Sequence, residues 1–226
     1  MASPAQAAPF AGILMLDTTF ERFPGDVGHP ATWSIPTKQH IVPGATAAAI
    51  TTLDDDRFLV LFTRAAKTLV AEGARLITTS CGFLALYQME LATRLAVPVV
   101  TSALLDLPRL AADGARPGVL TFDDRSLSGA HLRACGADPA TPITGLVRDG
   151  VFRRAILGDP TDDSFAAREA EAIDAARRLV ATHPEIDAIV LECTNLPPHR
   201  GAIEDATRRP VFDIVGLVER VWCSDR

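Results

Sequence analysis

Two cysteines in this chain close apolar runs in the same manner. Leu76-Ile77-Thr78-Thr79-Ser80-Cys81-Gly82-Phe83 reads as a buried strand whose polar tip delivers Cys81 into a strand-to-helix turn. Gly82 lets the backbone approach closely there, and a helix is expected from Phe83 to Leu95. Ile186-Asp187-Ala188-Ile189-Val190-Leu191-Glu192-Cys193-Thr194-Asn195 repeats the design around Cys193. A thiol just before a helix meets free backbone N–H groups and the positive end of a dipole, which favour a thiolate and can hold an anion. Two such thiols facing one another across a cleft suit a specific reaction, in which a proton leaves one face of a carbon and another returns to the opposite face. The carbanion formed beside a carboxylate would be steadied by N–H groups around Gly82 and Thr194 and by the hydroxyls of Thr79, Ser80 and Thr194. Either cysteine alone reads more simply as a small buried hydrophobe. Their matched placement argues for chemistry, whereas Cys135 and Cys223 have no counterparts and read as packing residues.

The elements around the two thiols echo one another as well. Pro98 follows Cys81 by seventeen places, and Pro210 follows Cys193 by seventeen. Gly12-Ile13-Leu14-Met15-Leu16-Asp17 finds a partner in Gly118-Val119-Leu120-Thr121-Phe122-Asp123, and Leu-Val-Ala recurs at Leu69–Ala71 and Leu179–Ala181. The chain therefore reads as two α/β units, 1–103 plus 211–226 and 104–210, with parallel sheets. In the first, strand Ala11–Leu16 ends in Asp17-Thr18, at the carboxyl end of the sheet where such folds collect ligands, so both residues are binding candidates. Asp17 as a cap of a turn is an equal alternative. Helical spacing predicts a helix over Asp54–Glu72, and Val97–Thr101 reads as a strand. The second unit is expected to hold strands at Gly118–Phe122, Ile143–Val147 and Ile186–Leu191 and an amphipathic helix over Ser164–Thr182. Val211–Val215 and Gly216–Cys223 should form the closing strand and helix. Phe20–Ala49 is the least regular stretch, broken by Pro24, Pro30, Pro36 and Pro43. It reads as a loop, either folded over the strand tips to exclude water or merely hugging the surface. Tyr87, His199 and Arg200 follow the cysteines in sequence and are more simply half-buried or solvated; His29 and His40 have no metal-ligand neighbours.

Composition bounds the function. At 226 residues, with 22 Lys and Arg against 28 Asp and Glu and a formal net charge of −6, the chain lacks the surplus cation needed to neutralise a nucleic-acid backbone. No apolar run approaches the ~20 residues of a membrane helix. Met1–Pro9 reads as a disordered tail rather than a signal peptide, and four cysteines are too few for a disulfide scaffold, so a cytoplasmic location is expected. No Gly-rich phosphate fingerprint and no Cys or His cluster at ligand spacing points to a cofactor or a metal.

The paired strand-end cysteines, with Thr79-Ser80-Cys81-Gly82, Glu192-Cys193-Thr194 and Asp17-Thr18, resemble the aspartate/glutamate/hydantoin racemase superfamily over Ala11 to Val215. Phe23–Trp33 is similar to the branch labelled aspartate/glutamate racemase-like. The resemblance implies two Rossmann-like halves related by a pseudo-twofold axis, with the active site in the cleft between them. It implies that Cys81 and Cys193 are the acid/base thiols and that Asp17 and Thr18 contact the substrate or orient a thiol. Three positions depart from the amino-acid racemase pattern. Gly82-Phe83 replace Asn-Thr, Asn195 replaces an acidic residue or histidine, and Glu192 stands where a small residue is usual, unless it turns away to an internal ion pair. Phe83 beside a thiol suggests a less polar ligand than an α-amino acid.

The expectation is thus a cofactor-independent racemase or epimerase, an isomerase acting on a small carboxylate, with Gly82, Phe83, Thr194 and Asn195 among the binding residues. Arylmalonate-type decarboxylation, maleate-type cis–trans isomerisation and non-catalytic carboxylate binding are the alternatives. Neither nucleic acid nor membrane is an expected partner, and a homo-oligomer is left open.

Overall fold

The computed structural model describes residues 8–50, 57–159 and 161–224. The tail expected at Met1–Pro9 lies outside them up to residue 7, as does the start of the helix expected from Asp54. Strand β1 (Phe10–Leu16) leads through an irregular segment to β2 (Thr37–Val42), a short helix α1 (Ala47–Ile50) and the long helix α2 (Arg57–Ala71). Strand β3 (Ala74–Thr79) follows, then a 3-10 turn over Gly82–Tyr87 that continues as α3 (Gln88–Arg94), then β4 (Val99–Val100) and α4 (Leu107–Ala112). The second half has β5 (Pro117–Thr121), α5 (Gly129–Ala134), β6 (Ile143–Gly145), α6 (Val151–Leu157) and α7 (Phe165–Thr182). It ends with β7 (Ala188–Leu191), α8 (Arg200–Thr207), β8 (Val211–Phe212) and α9 (Ile214–Ser224).

The strands form two four-stranded sheets ordered β2-β1-β3-β4 and β6-β5-β7-β8, and every strand pairing in them is parallel. The two orders are identical once β1 is matched to β5, which is the repeat expected from the sequence. Parallel sheets are covered on both faces, and β3 and β7 accordingly read as unbroken apolar runs. Along α2, Phe58, Phe62, Ala65, Ala66 and Leu69 form the buried face, each large side chain contributing about 1.5–3 kcal/mol of transfer free energy. Gly73, at a φ of 108°, turns that helix back into β3 in the left-handed region that favours glycine. Ser164 caps α7 by accepting from the Ala167 N–H.

Three differences from expectation have physical causes. The irregular Phe20–Ala49 stretch contains β2, paired in register with β1 from Ala11–Thr37 to Leu16–Val42. Thr37-Lys38-Gln39-His40 carries no apolar alternation because β2 is an edge strand with only Val42 buried. Cys81 is followed by a 3-10 turn rather than directly by an α-helix. Finally, Val211–Phe212 joins the second sheet beside β7, whereas α9 packs on β4 of the first.

Candidate active site

The two copies align at the level of single hydrogen bonds. The Ser80 N–H donates to the Leu14 carbonyl at 3.0 Å, and the Glu192 N–H donates to the Leu120 carbonyl at 2.9 Å. Gly12 and Gly118 set Leu14 and Leu120 at matched places, so Ser80 is the counterpart of Glu192 and Cys81 that of Cys193. The strand tips then meet across the halves. The Thr194 hydroxyl donates to the Ser80 carbonyl at 2.6 Å, and Gly82 lies against Glu192 so closely that a Cβ there would sit 2.3 Å from the Glu192 carbonyl oxygen.

Between the tips lies a narrow cavity, about 30 Å³ in which a water-sized sphere can be centred and about 430 Å³ of empty space up to its open mouth. Cys81, Cys193, Glu192 and Asn195 line it, and Leu16, Phe20, Phe83, Phe122 and Ile156 make its walls largely apolar. Thr18, Ser80, Gly82 and Thr194 also reach it. Arg22 enters from the loop after β1, its guanidinium donating to Thr18 Oγ1 at 2.9 Å and to Asp26 Oδ1 at 2.7 Å.

Two expected site residues stand elsewhere. Asp17 is exposed and accepts from the Gly44 N–H at 2.9 Å, holding the turn after β2. This is the capping alternative rather than substrate contact. Thr79 is buried behind the tip, its hydroxyl donating to the Thr101 carbonyl at 2.7 Å with the Cys81 carbonyl 3.0 Å away. It shapes the turn that presents Cys81. Tyr87 packs beside Phe62, His199 is buried against Phe165 and Phe152 near Glu169, and Arg200 pairs with Asp213 and Glu204.

Two residues absent from the sequence-based site belong to it. Arg22 sits in the irregular loop, where no spacing signal marked it. Glu192 makes no ion pair among the described residues; it lines the cavity, fully buried, and aligning the two repeats would have shown a carboxylate standing where the other copy has Ser80. Its Oε2 accepts from the Thr121 hydroxyl at 2.6 Å, while its Oε1 has no hydrogen-bond partner.

The electrostatics differ from the expectation of a helix-stabilised thiolate. The N–H groups of Phe83 and Leu84 do pull the Cys81 thiol toward ionisation, but burial, and after it the charge of Glu192, pushes its pKa up to about 12. Cys193 is likewise raised well above the ordinary thiol range by burial, by Glu192 and by the nearby Cys81 and Asp26, against the Asn195 N–H. Burial also lifts the Glu192 carboxyl to about 7, despite the Thr121 hydroxyl and the Phe122 N–H. Glu192 is therefore the group in this cavity that titrates near neutrality. Because its folded pKa lies above the ordinary 4.5, the unfolded chain releases this proton first as pH rises. Glu192 thus lowers stability progressively between pH 4.5 and about 7.

A polar chain from the loop sets the second thiol. Asp26 Oδ2 accepts from Asn195 Nδ2 at 2.6 Å, which leaves Asn195 Oδ1 to accept from Cys193 Sγ at 3.7 Å. Gly82→Ala should break the geometry on the other side, because its methyl group would meet a strand carbonyl that cannot rotate away. A loss of about 1–3 kcal/mol in denaturant unfolding is expected, together with loss of turnover. An unchanged unfolding midpoint would contradict the contact.

The two-sheet fold is shared with solved structures of a decarboxylase and a racemase. A cysteine-substituted arylmalonate decarboxylase in its sulfate-associated form superposes with a TM-score of 0.63 at 18% identity, over 90% of this chain and 87% of that one. Allantoin racemase from Klebsiella pneumoniae gives a TM-score of 0.61 at 16% identity, over 96% and 89%. No family model matches the chain. By sequence it is 30% identical over 231 residues to a dimethylsulfoniopropionate lyase of Durusdinium sp. clade D, covering 90% of this chain and 71% of that protein. It is 31% identical over 236 residues to dimethylsulfoniopropionate lyase 5 of Emiliania huxleyi, covering 96% of this chain and 45% of that protein. The chain belongs to the dimethylsulfoniopropionate lyase family. It spans less than half of the Emiliania huxleyi relative's length. Among the described residues, no helix is long and apolar enough to cross a membrane.

Proposed function

We propose that this protein is a lyase that eliminates a β-substituent from a small carboxylate without a cofactor, with dimethylsulfoniopropionate as the first candidate substrate. The observation that supports it is the pair Cys81 and Cys193 at equivalent strand tips, lining one largely apolar cavity, in a chain whose relatives are named for that lyase activity. In the reaction, a cavity base takes the proton from the carbon beside the carboxylate. The C–H electron pair becomes the new C=C bond, and the C–S bond breaks with its electrons leaving on sulfur. The products are acrylate and neutral dimethyl sulfide, and the proton stays on the base until it passes to solvent.

A thiol is suited to that task because, unlike a hydroxyl, it ionises within reach of neutrality when a charge nearby favours the thiolate. The Arg22 guanidinium and the Thr18 hydroxyl are the groups fitted to hold the substrate carboxylate, a charge-assisted contact. Apolar walls exclude water, so each electrostatic contact inside counts for more than in solvent.

One observation favours a second reading. Elimination needs a single base, whereas two thiols at pseudosymmetric positions suit proton removal and return on opposite faces, as in a racemase. Purified protein with dimethylsulfoniopropionate should release dimethyl sulfide into the headspace and acrylate into solution in equal amounts. No release, with solvent deuterium entering the α-carbon of a chiral carboxylate and its optical activity lost, would replace the lyase by the racemase.

A further inference from the structure

Glu192 does more than its position in the fold requires. Its counterpart Ser80 accepts the Leu16 N–H through Oγ at 2.9 Å, and Phe122, which matches Leu16 in the repeat, sends its N–H to the Glu192 carboxylate. A serine therefore suffices for that structural bond in one half, while the other half uses a carboxylate and keeps an oxygen in reserve. That oxygen, Oε1, is buried without a partner, an arrangement that costs free energy unless something else satisfies it. Space for the longer side chain is built in, because any residue larger than glycine at position 82 would overlap Oε1 and the Glu192 carbonyl. Around it the cavity offers the rings of Phe83 and Phe122. Arg22, the cation that lines the same cavity, is oriented by Asp26 and Thr18 rather than paired with Glu192.

Resting on the lyase reading of this site, we infer that Glu192, with the rings of Phe83 and Phe122, forms a cation subsite. It receives a sulfonium or quaternary ammonium group, while Arg22 takes the carboxylate of the same molecule. The substrate class is thereby a β-onium carboxylate, a zwitterion, rather than a neutral acid or an α-amino acid. An onium centre offers no N–H or O–H, so recognition falls to an unpaired carboxylate oxygen and aromatic faces. The subsite also ties binding to chemistry. An ionised Glu192 opposes ionisation of both thiols, and a bound cation cancels that field, so the thiol base becomes available when the right substrate is seated.

The titratable groups facing Glu192 are Cys81 from the β3 tip, Cys135 at the end of α5 and Cys193 beside it. Nearby, Arg153 pairs with Asp123 behind Phe122, and Arg22 pairs with Asp26. The thiols are all raised far above neutrality, and burial holds His131, packed on Phe83, below the ordinary histidine range. A binding transition near pH 7 therefore reports Glu192.

The test is equilibrium binding by calorimetry of two probes on the wild type, Glu192→Gln and Glu192→Ser, with acrylate assayed in the same samples. The probes are 3-(trimethylammonio)propionate and 4,4-dimethylpentanoate, the carboxylate isostere that lacks the cationic head. The wild type should favour the onium probe by about 30-fold, the equivalent of roughly 2 kcal/mol, and its affinity should rise with pH through about 7. Both variants should bind the two probes within about threefold and lose that pH dependence; Glu192→Ser reproduces the Ser80 arrangement and so should fold. Equal affinity for both probes in the wild type would overturn the subsite. So would affinity that falls as pH rises through 7, which would mean that a protonated Glu192 donates to the substrate carboxylate instead. Trimethylamine is a far poorer leaving group than dimethyl sulfide and the carbon isostere has no leaving group, so binding is read on samples in which no acrylate is released. Discrimination lost in the variants without any dimethyl sulfide release would keep the subsite and discard the lyase, whereas release without discrimination would do the reverse.

Discussion

Cys81→Ser and Cys193→Ser should each lower turnover by about 10²- to 10⁴-fold, with the fold retained. A serine hydroxyl is a far weaker acid than a thiol, and the cavity already disfavours anions through burial and Glu192, so an alkoxide at either place would not form near neutrality. The structural cost is small by comparison. Both residues sit at strand tips where a hydroxyl has nearby acceptors, Asn195 Oδ1 in the case of Cys193, and an unpaired hydroxyl would cost about 1–3 kcal/mol. Dimethyl sulfide release should be measured alongside thermal unfolding on the same samples. Full turnover in either folded variant would remove that cysteine from the mechanism. The pattern of losses carries further information. A one-base elimination predicts unequal losses, because one thiol takes the proton and the other only shapes the cavity. A two-base racemase predicts equal abolition of racemisation, with α-proton exchange surviving for one enantiomer in each variant.

The largest effect on stability is expected at Arg168. This arginine of α7 is 2% exposed, donates to Asp163 Oδ1 at 2.7 Å and to the Glu21 carbonyl at 3.0 Å, and lies 5.0 Å from the Phe23 ring centroid. It thus fastens the loop that carries Phe20, Arg22 and Asp26 onto the second half. Arg168→Met keeps most of the volume but strands the Asp163 carboxylate and the Glu21 carbonyl, so a loss of about 3–5 kcal/mol is expected. Adding Asp163→Asn should recover part of it, because the uncompensated buried charge is then gone. Denaturant unfolding of the wild type, both single variants and the double variant closes the cycle. Strict additivity of the two single costs would mean that the pair is not coupled.

The residues show how far reading the chain alone could go. The repeat was legible, because strands buried on both faces must be continuous apolar runs and because each has to end in the same polar-cysteine turn. From that repeat followed the two sheets and the placement of Cys81 and Cys193 at matched tips, which local pattern determines. Strand β2 was not legible, since an edge strand with one solvated side chain after another carries no period-two signal. Nor was the position of Asp17, for a carboxylate at a strand tip can turn toward the cleft or toward the next loop, and only the Gly44 N–H decides it. The tertiary structure alone decided the electrostatics. The turn after Cys81 predicts a lowered thiol pKa, yet burial and a carboxylate from the opposite half reverse its sign. The sequence by itself determined the two thiols and the scaffold that presents them, because those depend on local periodicity. Glu192 and Arg22 entered the site only when the two halves and the loop closed on one another, because a contact between Gly82 and Glu192 depends on packing 110 residues apart in sequence.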